Sequence, residues 1–542
     1  MTSMSDTSNK KHFSRRKLIE LSGYAALSGI GASLLSANAS GVAANALQAT
    51  PGAIDENAKR GGTLKMGLNN NWTTVEPHKT NNSSGQAIVG LVYGQLLKYY
   101  KGEELIPDLA ESYEMVDPTT YVFHLRQGVK FHDGEPFTAA DVKASYDQIL
   151  NPENGVTVYS YLTGVESVNI VNDFEVEFKL KEPQATFIAA MGLPGNYIAQ
   201  AKKIEAGVDF MKDVVGTGPF KFVSETTGVE AKVERNDEYY LEGLPYLDGV
   251  EFRPLTDDSA RTNALYSGSA DLITYVPWAQ MGAIEEDSKY SLKSNPEDGY
   301  LMIDIRVDRP PLDNKALRQA ISYGIDREAV IATATSGRGK PCYGGIIPSW
   351  MWGYNEEISE TYKYDPEKAK QLLQEAGAEG LELELISWPP DNELFGLPSV
   401  VVANQLNQIG LNVELKPMAV APYHQARSDG SYEMLFDGTL YDIPDPDFLT
   451  KLYRTDGTRV AKANRYSDPE VDQWLDDARV LTDQDERIAL YDKVQNKILE
   501  DQPIIMVMFR EQGEATLSDV MGHEYLGALG VSNVLLEVWL DR

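Results

Sequence analysis

"PDLAESYEMVDPTTYVFHLRQGVKFHDGEPFTAADVKASYDQIL", residues 107–150, carries two hydrophobic spacings in one stretch. In TYVFHL (120–125), Tyr121, Phe123 and Leu125 recur every second residue, the spacing of a strand with one face on a core. Further on, Thr138 is placed to cap a helix, with Asp141 three residues later, and Val142, Tyr146, Ile149 and Leu150 fall along one face. Between them, FHDG sets His132 beside Asp133. Such a pair can serve acid/base chemistry, which also needs a positioned partner and a substrate. Next to a glycine at a strand-to-turn boundary, with no supporting motif, it reads as structural.

The same alternation of strand and helix continues outward. GGTLKMGL (61–68) and EVEFKL (175–180) have strand spacing, and GTGPF (216–220) reads as a turn entering the strand FKFV, not a phosphate loop. Asp365-Pro366 opens a helix that carries Ala369, Leu372, Leu373 and Ala376 and stops at Gly377, ahead of the strand LELELI (381–386). Ser467 and Glu470 form a capping box before Val471, Trp474, Leu475 and Ala478. A last helical face runs through Ile488, Tyr491, Gln495 and Ile498, and Pro503 stops it before the strand IIMVMF (504–509). The class is α/β or mixed. At 542 residues the chain needs two or three packed regions, and without repeats or Ser/Gly linkers these are expected to be interwoven.

A net charge of −32 makes nucleic acid a poor partner, because phosphate binding needs a basic surface. The single cysteine, Cys342, permits no disulfide within the chain and reads as a small, partly buried residue. The six histidines show no metal-binding spacing, and G-x-S-x-G, H-E-x-x-H and P-loop motifs are missing. Residues 1–46 read as an export leader: a basic start, a modest apolar stretch from Leu18 to Leu35, and Ala44-Asn45-Ala46 as a cleavage site. Ser14-Arg15-Arg16-Lys17-Leu18-Ile19 resembles the twin-arginine signal, though Glu20 stands where a Lys is common. No cysteine follows the apolar stretch, so no lipid anchor is expected, and the mature chain is expected to be soluble in a periplasm.

The opening stretch closely resembles the signature region of the family 5 extracellular solute-binding proteins, the peptide/nickel/opine class that serves ABC importers. Further matching stretches follow in the family's order: VVGTGPFKFV (214–223), 235–272, PPLDNKALRQAISYGIDREAV (310–330), YDPEKAKQLLQEAG (364–377) and 466–503. The resemblance implies an α/β, two-lobed periplasmic binding protein fold of type II, in the large three-part form. It places a first lobe at 58–92, 215–303 and 505–542, an inserted subdomain at 93–214, and a second lobe at 304–504. It implies a monomer without cofactor or catalysis, closing on a small organic ligand for delivery to an ABC permease.

The resemblance also interprets TLYDIPDPDFL (439–449). In peptide-binding members an aspartate of this loop pairs with the ligand's α-ammonium group, and the matching residue here is Asp442. Asp445 and Asp447, flanked by Pro444 and Pro446, are expected to shape and cap the turn. Dipeptide binders hold the ligand carboxylate with an arginine after the LELELI strand. The corresponding SWPPDNELFGLP (387–398) contains none. Trp388 is expected to stack on a ring or cation, with Trp72, Tyr423 and Tyr441 as further ligand contacts. Peptide is the default ligand, an opine or oligosaccharide the alternative, and nickel is less favoured. The rival from another class is a secreted hydrolase that uses a carboxylate pair.

Overall fold

The computed structural model describes residues 55–80, 82–100, 104–457, 461–525, 527 and 535–542. The leader expected at 1–46, with its export motif, lies outside the described residues.

The opening stretch folds as its spacing predicts. Ala110–Asp117, Thr120–Leu125, Glu175–Leu180 and Val165–Asn172 form an antiparallel four-stranded sheet in that order. Phe123, Phe178, Tyr146 and Phe187 pack together beneath it, with Tyr146 and Phe178 edge-to-face at 4.8 Å. Helix Ala139–Ile149 supplies Tyr146 and opens with a capping box between Thr138 and Asp141, in which the Thr138 backbone N–H donates to the Asp141 carboxylate at 2.9 Å.

The expected capping box at Ser467 is displaced by one residue. Helix Pro469–Val480 is capped by Asp468, which accepts from the N–H groups of Glu470 at 2.9 Å and Val471 at 3.2 Å. Proline at the first helical position lacks a donor to be capped, so the residue just before it takes the role. Helix Pro366–Ala376 begins and ends as expected, with Asp365 as cap and Gly377 left-handed at φ 64°.

Eleven strands, among the described residues, join in one large sheet. Its order is Asn412–Pro417, Glu382–Ser387, Met434–Leu440, Tyr290–Ile305, Ile504–Leu517, Leu272–Ile273, Thr63–Leu68, Gly249–Pro254, Glu230–Arg235 and Phe220–Thr226, with Lys340–Pro341 added against Ile504–Leu517. Two long antiparallel strands, Tyr290–Ile305 and Ile504–Leu517, form the middle. Segments from residues 382–440 pair on one side of them, and those from 63–68 and 220–273 on the other. The central register slips between Asn295 and Gly299, opposite Gln512 and Arg510. A bulge of this kind bends the strand and re-aims its side chains.

The strand read at 504–509 continues to Leu517, and its character changes at Phe509. Ile504 to Met508 are apolar and buried, whereas Arg510, Gln512 and Glu514 follow on alternate residues and are buried too. Period-two geometry puts those three polar side chains on one face.

Candidate functional site

The polar face of Ile504–Leu517 looks into two cavities that share Asn69 and Tyr275 in their walls. The larger has a volume of about 370 Å³ and is partly open to solvent, whereas the smaller, at about 20 Å³, has room for little more than a water molecule. Sites for small organic ligands span roughly 300–1,000 Å³. Asn69 and Asn70 reach the larger cavity from the end of Thr63–Leu68, Arg261 from helix Asp258–Tyr266, and Arg510 and Gln512 from the long strand. Trp388 and Glu393 come from the connection between Glu382–Ser387 and helix Gly396–Gln408. The smaller cavity is lined by Ser83 and Ser84 at the start of helix Ser83–Val92, and by Leu440, Glu514 and Tyr525.

Most charges around the larger cavity are already satisfied. Arg261 donates to the Leu255 carbonyl at 2.9 Å, the Tyr275 carbonyl at 2.7 Å and Asp258 at 2.5 Å. Glu393 accepts from the backbone N–H groups of Trp278 at 3.0 Å and Ala279 at 2.9 Å. Burial pushes the Glu393 carboxyl above the usual carboxylate range, while those two N–H groups oppose the shift. Glu514, at the smaller cavity, lies 2.8 Å from Nε2 of His523.

Tyr275, between the cavities, has a left-handed φ of 51°. A non-glycine residue there carries a local cost of order 1 kcal/mol or more, which the surroundings must hold in place. The Arg261 bond to its carbonyl and the Arg510 guanidinium, 5.8 Å from its ring centre, both bear on this residue.

Among the described residues, several buried polar atoms of this region lack partners: Asn70 Oδ1, Ser84 Oγ, Arg261 Nε, Trp388 Nε1 and Arg510 Nε. Each belongs to a residue lining one of the two cavities. A buried polar group without a partner costs free energy, so a cluster of them marks where a ligand or ordered water completes the bonding.

Of the residues expected from sequence, the structure brings Trp388 to this cleft. Tyr423 does not reach it and is fully buried, its hydroxyl donating to the Phe436 carbonyl at 2.8 Å. Its ring meets Trp388 edge-on at 5.9 Å, as Phe395 does at 5.0 Å, so both rings pack against the tryptophan. Tyr441 is likewise a core residue, packed on Tyr300 and Phe448 with its hydroxyl donating to the Ile346 carbonyl at 2.9 Å. Trp72 is buried and donates from Nε1 to Glu225 at 2.8 Å. In these three the polar atom finds a partner inside the fold, and the aromatic face is spent on packing.

Asp442 is exposed and lines neither cavity. Its carboxylate is paired with the Lys451 ammonium. Asp445 and Asp447 do more than shape the turn, although Asp445 does accept the Asp447 N–H at 2.9 Å. Asp445 forms a buried two-pronged pair with Arg487 at 2.7 and 3.0 Å, and Asp447 pairs with Arg479 at 3.2 Å. Burial pushes the Asp447 carboxyl up to about 6 against the pull of Arg479.

His132 accepts the Gly216 N–H at Nδ1, 3.3 Å away, and donates from Nε2 to the Gly218 carbonyl at 3.0 Å. Both ring nitrogens are thus tied to backbone, in keeping with the structural reading. Sequence reasoning missed Arg510, Gln512 and Glu514. The available signal was the polar run REQGE (510–514) prolonging an apolar strand, since buried charged residues in a central strand are unusual.

The match to known proteins agrees with this architecture. The family model for bacterial extracellular solute-binding proteins, family 5, matches residues 104–459, and the chain belongs to that family. It is therefore a solute-binding protein and not an enzyme, which removes the hydrolase alternative. The glutathione-binding protein GsiB of Pectobacterium atrosepticum is 31% identical over 82% of this chain and 87% of its own. The periplasmic binding protein AgaA of A. tumefaciens, solved with agropinic acid, is 30% identical with a TM-score of 0.79, covering 89% of this chain and 99% of its own. DppA of Helicobacter pylori, an ABC transporter-associated periplasmic binding protein solved with the peptide STSA, is 26% identical with a TM-score of 0.78, at the same coverages.

Proposed function

We propose that this chain captures a small organic solute in the cleft between Trp388 and the polar face of Ile504–Leu517 and delivers it to an ABC permease. Residues 58–92, 215–303 and 505–542 form one lobe carrying the subdomain 93–214, and residues 304–504 form the other. The two long central strands are the hinge, and closure removes the solute from water. The protein acts as a monomer outside the cytoplasmic membrane, exported by the twin-arginine leader and free of a lipid anchor.

One observation carries this reading: among the described residues, five buried polar atoms without partners gather around two adjoining cavities whose walls come from both proposed lobes. Peptides and opines both suit these walls. Relatives named or solved with glutathione, agropinic acid and a tetrapeptide support that range.

A thermal-shift panel on residues 47–542, stripped of co-purified solute, tests the reading. The panel holds glutathione, agropinic acid, the peptide STSA and oligosaccharides. A solute at a hundred times its dissociation constant adds about 2.7 kcal/mol of stability. A clear rise with at least one member is expected, without turnover. Product formation from any of them contradicts it.

A further inference from the structure

Arg510 is the buried charge in the cleft that the fold leaves unmatched. The residue is 4% exposed, yet among the described residues its guanidinium forms no ion pair with a carboxylate. Among the described residues it places one hydrogen bond, from Nη2 to Gln512 Oε1 at 2.7 Å, and its Nε has no partner. A guanidinium carries five donors. Arg327, also buried, shows the contrast. It donates to the carbonyls of Met506, Ser322, Ile325 and Tyr362 and to the Ser322 hydroxyl, and is a structural residue.

In a chain with 81 acidic residues, an unmatched buried arginine is costly unless an anion arrives to pair with it. Three of the other four open atoms fit the same visitor, whereas the fourth, Asn70 Oδ1, is an acceptor that suits a donor group of the solute. Trp388 Nε1 and Arg261 Nε are donors, as is the Ser84 hydroxyl in the adjoining cavity. Glu393 and Asp258, the carboxylates at the larger cavity, are occupied by backbone N–H groups and by Arg261. They leave Arg510 open.

Resting on the cleft assigned above, we propose that Arg510 clamps a carboxylate of the solute, with Trp388 closing over it from the opposite segment. The carboxylate fork missing from residues 387–398 is thereby supplied from the long central strand Ile504–Leu517. Gln512 holds the guanidinium from one side, and the Tyr275 ring sets its depth.

The test titrates the purified protein and its Arg510→Lys and Arg510→Met variants with glutathione, agropinic acid and the peptide STSA. Each acid is paired with its amide or ester. The carboxylate bond predicts at least a 30-fold loss of affinity in Arg510→Met for the acid, and a similar loss in the unsubstituted protein when the carboxylate is masked. The two losses do not add, because both remove one contact. Arg510→Lys keeps the charge but loses the two-pronged geometry and falls between. Melting of the solute-free variants separates this from a structural role: Arg510→Met is expected to melt no lower than the parent, since it removes an unpaired buried charge. A masked solute bound as tightly as its acid, or a solute-free variant that melts lower with affinity kept, overturns the inference while leaving the function proposed above in place. Binding of none of the three acids overturns the inference, and the function proposed above falls with it only where the oligosaccharides fail to bind as well. An acid and peptide bound alike marks a general carboxylate site; agropinic acid alone, or STSA alone, identifies which carboxylate source Arg510 serves.

Discussion

The Glu393 carboxylate accepts the N–H groups of Trp278 and Ala279, at 3.0 and 2.9 Å. Those two residues open helix Trp278–Glu286, whose own cap position, Pro277, makes no side-chain bond. The helix is therefore capped by a carboxylate 115 residues away in sequence, reaching from one proposed lobe to the other. A negative group at a helix N-terminus satisfies open donors and complements the helix dipole.

Replacing Glu393 with alanine is expected to cost about 1–2 kcal/mol of stability, the range of a lost helix cap. Because the bond spans the cleft, solute affinity falls as well. Urea unfolding with and without solute measures both, and unchanged affinity with lowered stability would make Glu393 a cap alone.

His132 predicts a specific loss of stability in acid. Burial lowers its pKa from an ordinary 6.5 to about 4, with Lys221 adding to the shift and the Gly218 bond and Asp133 opposing it. Between those values the unfolded chain binds a proton that the folded chain refuses, so the contribution is complete above pH 6.5 and is lost as pH falls toward 4. The integrated effect is about 3 kcal/mol, at roughly 1.4 kcal/mol per pH unit. The stability difference between the parent and His132→Asn is expected to shrink over that interval. A difference that stays constant would place the ring in a more hydrated setting.

The Asp445–Arg487 pair predicts damage to stability without damage to binding. Both side chains are 7% exposed, and the carboxylate meets the guanidinium on two prongs. Removing one partner of a buried pair costs about 3–5 kcal/mol, because the other is left charged and alone. Asp445→Ala is expected to melt well below the parent while its folded fraction binds solute normally. Asp442→Ala breaks an exposed pair with Lys451 and is expected to cost about 0–1 kcal/mol and little affinity.

Cys342 is 1% exposed, and burial pushes its thiol up to about 12. It is expected to resist an aromatic disulfide reagent at pH 8 in the folded protein and to react within minutes in denaturant. Rapid labelling under native conditions would contradict its placement.

The secondary structure was legible because its signals are local. Tyr121, Phe123 and Leu125 declare a strand, and Asp365-Pro366 with Gly377 brackets a helix without reference to distant residues. The slip from Ser467 to Asp468 shows the limit of such signals, since two residues met the cap pattern and Pro469 chose between them. The cleft was less legible because the sheet order is not the chain order. Arg510 neighbours Tyr275 and Asn69 only because Ile504–Leu517 lies between Tyr290–Ile305 and Leu272–Ile273. Trp388 was identifiable as an aromatic in the right connection. Tyr423 and Tyr441 were not separable from it, because whether a ring faces a cavity or a core depends on partners supplied by the whole fold.

Hydrogen exchange with and without a bound acid, read by mass spectrometry, tests most directly whether the solute sits in this cleft. Slower exchange is predicted together at 69–70, 275–279, 388–394 and 510–514, covering walls from both proposed lobes. Protection centred on 439–449, with the four segments unchanged, would contradict the site and return recognition to Asp442.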